Sequence, residues 1–188
     1  MTLTLEGGFT NAPAQSARAF RALLTALSQP GTIVTLGGAT PPAPLSQAAG
    51  IAALVLLDPT TPVHLAGALD CDAVRGWLTF HTGARFVRAE DAAFAIGTWD
   101  ALQPVSRFAI GTSEYPDRAA TLIVEMPALT PAGPTLRGPG IHGKATLSLP
   151  ETAAFRANRA RFPLGFDTFL TCGAQIAGLP RSTIVGDA

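Results

Sequence analysis

Between Ala14 and Gln29, Ala17, Phe20, Leu23, Leu24 and Leu27 recur at intervals of three and four, the spacing that gathers apolar side chains on one face of a helix. Pro30-Gly31 stops it, and the β-branched run Thr32 to Leu36 predicts a strand. A loop rich in Gly and Pro follows. Ser46 to Leu57 then predicts a second helix with almost no polar position, which implies deep burial. Pro62 to Ala66 reads as a short strand. Asp70 or Asp72 is placed to cap a third helix carrying Val74, Trp77 and Leu78. Phe94 to Gly97 predicts a strand and Trp99 to Phe108 a weakly helical segment. Thr121 to Met126 is apolar enough for the centre of a sheet. The Pro and Gly density from Pro127 to Pro139 favours turns around short edge strands. Thr146 to Leu149 alternates like a strand, and Glu151 to Arg161 predicts a helix with Arg156, Asn158 and Arg159 facing water. Thr168 to Gly178 reads as a hairpin broken at Gly173. Helices and strands interleave, with strands gathered towards the C-terminal half. This predicts an α/β sandwich on a mixed sheet, in one domain over residues 1–188.

Composition sharpens this picture in one respect. Apolar residues make up 47% of the 188 and charged residues 14%, so little charge is available to solvate the outside and a partner-covered surface is implied. Thirteen basic residues balance thirteen acidic ones, which leaves no field to gather nucleic acid or anionic lipid. Neither is expected as a partner. The N-terminus lacks a basic segment followed by a long apolar run, and no apolar stretch reaches about 18 residues, so the cytoplasm is the expected address.

Candidate chemistry is sparse. Cys71 and Cys172 are isolated, and His64, His81 and His142 form no ligand pair, so no metal is expected. Gly138-Pro-Gly-Ile-His-Gly-Lys144 matches a glycine-rich phosphate loop literally. Ala145, however, stands where the metal-binding hydroxyl belongs, and a strand follows where helix amides are needed, so a turn between strands is the better reading. Schiff-base chemistry with pyridoxal phosphate has Lys144, the sole lysine, as its one candidate. His81, at the passage from a helix into a polar turn, can face a cleft. Arg161 and Arg181 each sit beside a Pro-stiffened turn that presets a guanidinium for a carboxylate or phosphate. These three are the candidate substrate-binding residues; no catalytic residue can be assembled.

Several segments together resemble the PhnH family of the bacterial carbon-phosphorus lyase system. They are Phe20 to Leu24 running into Ala26-Leu-Ser-Gln-Pro-Gly-Thr32, Leu57-Asp-Pro-Thr-Thr-Pro-Val63, Leu78-Thr-Phe-His-Thr-Gly83, Gly111-Thr-Ser-Glu-Tyr-Pro116, Ala120-Thr-Leu-Ile123, Leu136-Arg-Gly-Pro-Gly-Ile141, Arg161-Phe-Pro-Leu-Gly165 and Leu179-Pro-Arg-Ser-Thr183. They fall in order over nearly the whole chain. The resemblance implies a three-layer α/β/α sandwich similar to a shortened pyridoxal-phosphate-dependent transferase, without the cofactor. It also implies a homodimer that joins the other core subunits and supports transfer of an alkylphosphonate onto the ribose C1 of ATP before carbon-phosphorus cleavage. Two other readings stand beside it: a binding module for phosphonates or phosphate esters, and a stand-alone pyridoxal-phosphate or nucleotide enzyme built on Lys144.

Overall fold

A computed structural model describes residues 5–187. In chain order the elements begin with α1 (Ala12–Ser28), β1 (Ile33–Thr35), α2 (Gln47–Leu56), β2 (Pro62–Leu65) and α3 (Asp72–Thr82). The middle of the chain supplies β3 (Arg85–Phe86), β4 (Phe94–Thr98), β5 (Thr121–Glu125), β6 (Thr135–Arg137) and β7 (Ala145–Thr146). The last elements are α4 (Ala153–Ala160), β8 (Asp167–Cys172), β9 (Gln175–Leu179) and β10 (Ile184–Val185).

Seven strands form one mixed sheet in the order β1-β9-β8-β5-β4-β2-β3. β3, β2, β4, β5 and β8 are parallel, while β9 and then β1 add antiparallel at one edge. Alternation along each strand divides the core in two. Ile96, Ile123, Phe169 and Ile176 pack under α1, α2 and α3. Ala95, Leu122, Val124, Leu170 and Ala177 point the other way, under Phe155 of α4, Trp99, Phe108 and a small antiparallel sheet ordered β10-β6-β7. The α/β sandwich on a mixed sheet is therefore as expected, although its second outer layer is one short helix plus three short strands.

Local chemistry explains the elements. Ser46 caps α2 by accepting the Ala49 N–H at 3.2 Å. Gly83 ends α3 with φ +68°, the left-handed turn that a side chain would resist. In α1 the core positions are Ala19, Leu23 and Ala26, whereas Phe20 and Leu24 are 53% and 56% exposed. Close approach is the cause: α1 rests on β9 where a Cβ on Gly178 would lie 2.6 Å from the Ala26 carbonyl oxygen. Ala26 fits that contact and Leu23 packs beside it in the core, which leaves Phe20 and Leu24 turned outward.

Besides the single apolar face expected of α1, from which Ala17, Phe20 and Leu24 turn out to solvent, four expectations need correction. Trp99 to Phe108 is not helical beyond a 3-10 turn at Val105–Arg107, because Pro104 lacks the N–H a helix needs and Trp99, Leu102 and Phe108 anchor an irregular path to the core. Asp70 and Asp72 do not cap α3. Cys71 holds the cap position with no side-chain hydrogen bond, and Asp70 pairs with Arg75 instead. The strand expected at Thr146 to Leu149 is the two-residue β7, after which Ser148 bonds to the backbone of Thr130. Asn158 does not face water: it is buried, with its Nδ2 donating to Phe166 O at 2.8 Å and its Oδ1 accepting Phe166 N–H at 2.9 Å.

Candidate functional site

Parallel sheets present their strand ends as a ledge, and in open α/β folds ligands settle outside the carboxyl ends. Here the parallel register aligns Thr98, Glu125 and Thr171 in one row across the ends of β4, β5 and β8. The N-terminus of α2 comes down on this row. Ser46 N–H donates to Glu125 Oε1 at 2.8 Å, and Thr171 Oγ1 donates to Oε2 at 3.0 Å. A carboxylate at a helix N-terminus meets the positive end of the helix dipole. Burial nevertheless pushes the Glu125 pKa above the ordinary carboxylate range, and the bonds from Ser46 and Thr171 only partly offset it.

In front of the row opens a cleft of about 780 Å³, walled by Trp99, Met126, Leu149 and Pro150, with Thr98, Asp100, Glu125 and Ser148 as its polar residues. Size and apolar walls suit a small ligand. Its charge does not suit an anion: the lining holds two carboxyl residues and, among the described residues, no cation. Glu125, whose carboxyl pKa burial holds above the ordinary carboxylate range, is the group of this lining with a perturbed proton affinity. The sequence offered no hint of it, since its partner Ser46 lies 79 positions away.

A second cleft, of about 640 Å³, lies between Ser28–Thr32 and the loop Gly140–Ala145. That loop joins β6 to β7 as an antiparallel hairpin, in agreement with the turn reading. Gly140, at φ +80°, lets the loop close on the Ser28 carbonyl. Lys144 and His142 line the cleft and are exposed, but the C-terminal end of α1 faces it with the negative pole of its dipole, which weakens it for phosphate.

The three candidates from sequence are not brought together; no hydrogen bond or ion pair links any two of them among the described residues. His81, half-buried, ends α3 and holds the N-terminal segment. Its Nε2 lies 2.9 Å from Leu5 O, an acceptor, so Nε2 carries the proton there. Trp77 assists, donating from Nε1 to Glu6 O at 3.0 Å. Arg181 turns its fork onto Asp167, with Nη2 to Oδ2 at 2.6 Å and Nε to Oδ1 at 3.1 Å, and Nη1 donates to Pro116 O at 2.8 Å. It ties the start of β8 to the turn at Pro116–Arg118. Arg161 follows α4, exposed, and its guanidinium has no hydrogen-bonded partner among the described residues. No cluster of His, Cys, Asp and Glu among the described residues is arranged to hold a metal, and no described helix is long and apolar enough to cross a membrane.

Comparison with known proteins places this architecture. The chain is 40% identical over 186 residues to the alpha-D-ribose 1-methylphosphonate 5-triphosphate synthase subunit PhnH of Rhizobium meliloti (strain 1021), covering 94% of this chain and 93% of that one. It is 32% identical over 197 residues to the putative C-P lyase subunit protein HtxG of Stutzerimonas stutzeri, covering 95% and 94% respectively. The profile of the family described as bacterial phosphonate metabolism protein (PhnH) matches residues 7–186. With nearly its whole length accounted for, the chain belongs to the PhnH family.

Proposed function

We propose that this chain is a non-autonomous subunit of the carbon-phosphorus lyase system that supports transfer of an alkylphosphonate onto the ribose C1 of ATP. A phosphonate oxygen forms the new bond to C1, the glycosidic bond to adenine breaks, and adenine leaves with a proton; carbon-phosphorus cleavage follows on another subunit. The observation that carries this reading is the 40% identity, end to end, with a relative whose name is that of a ribose 1-methylphosphonate 5-triphosphate synthase subunit.

Two features support the dependence on partners. The larger cleft, lined by Asp100 and Glu125, holds no cation to receive a phosphonate or a triphosphate. The guanidinium of Arg181, a natural anion receptor, is engaged by Asp167. In the same proposal the chain works in the cytoplasm as a homodimer within the core complex, and its fold is that of a shortened pyridoxal-phosphate-dependent transferase that has given up the cofactor. Of the three residues singled out in the sequence, Arg161 is the one with a free guanidinium to offer an anion, while His81 and Arg181 would act on a ligand indirectly, through the segments they hold.

Reconstitution tests this. The other core subunits are mixed with ATP and methylphosphonate, with and without this chain, and the ribose-linked phosphonate is followed by phosphorus NMR. Product should form only when chain and partners are both present. Equal product without the chain, or turnover by the chain alone, overturns the reading.

A further inference from the structure

The outer surface of the helical layer is unusual for a protein that meets only water. α2 carries a single polar side chain, Gln47, and no charge; none of its residues is exposed, and Leu54, Val55 and Leu56 are half-buried against the core. A helix apolar on all sides is a covered one, so the exposed apolar surface of this layer lies on its neighbour. Beside it lies α1, whose second apolar stripe, Ala17, Phe20 and Leu24, faces outward. Two large side chains more than half exposed at i and i+4 on one helix form a ridge, unlike the scattered single apolar residues of an ordinary surface.

Charge selects what covers it. α1 carries Arg18 and Arg21 and no acidic residue between Ala12 and Ser28, and α2 contributes no charge at all. A second copy docked through this ridge about a two-fold axis would set the Arg21 side chains of both copies against like charge. A partner bearing an apolar groove or helix rimmed by carboxylates meets both the ridge and the guanidinium groups. We propose that the outer face of α1, centred on Phe20 and Leu24 and flanked by Arg18 and Arg21, is the docking surface for an acidic-rimmed apolar element of another subunit of the assembly. The inference rests on the subunit role proposed above and adds the face and the chemistry of the contact.

The test uses the full chain and the core assembly prepared without it, with affinity read by biolayer interferometry and oligomeric state by light scattering. Phe20→Glu with Leu24→Glu should weaken association about tenfold or more, because each removes a large apolar anchor and adds repulsion. Arg21→Glu should weaken it several-fold and reduce its sensitivity to salt. Phe162→Glu, equally exposed after α4, should bind as the parent does. Both α1 substitutions are at exposed positions, so the melting temperature should hold; if it falls, Phe20→Ser with Leu24→Gln replaces the pair. Binding by the parent with undiminished binding by the α1 variants overturns the docking surface and leaves the subunit role intact. No binding by the parent overturns the subunit role, and this inference with it. Conversion of an isolated dimer to monomer by the α1 pair would make a second copy the occupant, which also overturns the proposal.

Discussion

Glu125 Oε2 and Thr171 Oγ1 face each other at 3.0 Å across β5 and β8, and the same hydroxyl lies 3.2 Å from the Val124 carbonyl oxygen. A hydroxyl has one proton, so Thr171 serves one of these acceptors at a time. With Glu125 ionised, the proton points to the carboxylate. With Glu125 protonated, the carboxyl donates to Thr171 Oγ1, and Thr171 turns its own proton to Val124 O. The ledge therefore accommodates either charge state of Glu125 without moving the backbone, while Ser46 N–H stays on Oε1 throughout.

A pH dependence of stability follows from this pair. Burial raises the folded-state pKa of Glu125 above its unfolded value, so the folded chain binds the proton more tightly. Stability from this group then rises as pH falls through the folded pKa, is complete below the unfolded value, and is lost as pH rises. Glu125→Gln keeps an acceptor for Ser46 N–H and donates to Thr171 without a charge. It should equal or exceed the parent by about 1 kcal/mol at pH 8, or about 2–4 °C in melting temperature, and lose that advantage by pH 4. Glu125→Ala, which strands the Ser46 N–H, should cost about 1–3 kcal/mol. Thermal melts of the three proteins across this range check it; an advantage for Gln that grows towards acid contradicts the assignment.

How much of this was legible from residues alone depended on whether the signal was local. β5 was evident because Leu122, Ile123 and Val124 form an unbroken apolar run, and the β8–β9 hairpin because Gly173 interrupts it with φ +57°. The orientation of α1 was not legible: its apolar positions fill two stripes, and the choice of Ala19, Leu23 and Ala26 over Phe20 and Leu24 is made by the sheet beneath, at Gly178. Asn158 and Glu125 were hidden for a related reason. A polar residue announces its type but not its partner, and Phe166 and Ser46 meet them only once the chain has folded.

Asn158 should behave as a structural amide. It satisfies both backbone groups of Phe166 at the passage from α4 into β8, and Gly165 lies so close that a Cβ there would collide with Asn158 Oδ1. Asn158→Asp replaces the donor to Phe166 O with an acceptor and buries a charge. The expected loss is about 2–4 kcal/mol, read as a lower urea midpoint with an unchanged slope. Asn158→Ser, which can bond one of the two groups, should fall between.

Arg181 and Arg161 should separate by phenotype. Arg181→Lys retains the charge but not the fork, leaving Asp167 incompletely paired in a setting where the two side chains are only 13% and 26% exposed. A destabilisation of about 1–3 kcal/mol is expected by urea unfolding. Arg161→Ala, at an exposed guanidinium with no partner among the described residues, should change stability by less than about 0.5 kcal/mol. Any effect of Arg161→Ala on assembly or phosphonate transfer would then report a contact made outside this chain.

Gly178→Ala probes the contact that turns Phe20 and Leu24 outward. The added Cβ would stand 2.6 Å from the Ala26 carbonyl oxygen and 2.7 Å from the Leu27 Cα. Both are backbone atoms of α1, so relief requires the helix to lift from β9. Overpacking of this kind costs about 1–3 kcal/mol, and here the displaced element also carries Leu23 and Ala26 in the core. The measurement is a urea melt combined with amide exchange. Exchange should accelerate in α1 and β9 while β4 and β5, at the sheet centre, keep their protection. Since the ridge rides on the same helix, the variant should also bind partner subunits less tightly than its loss of global stability accounts for. Unchanged protection in α1 would mean that Gly178 is accommodated by the strand, and that the outward turn of Phe20 and Leu24 has another cause.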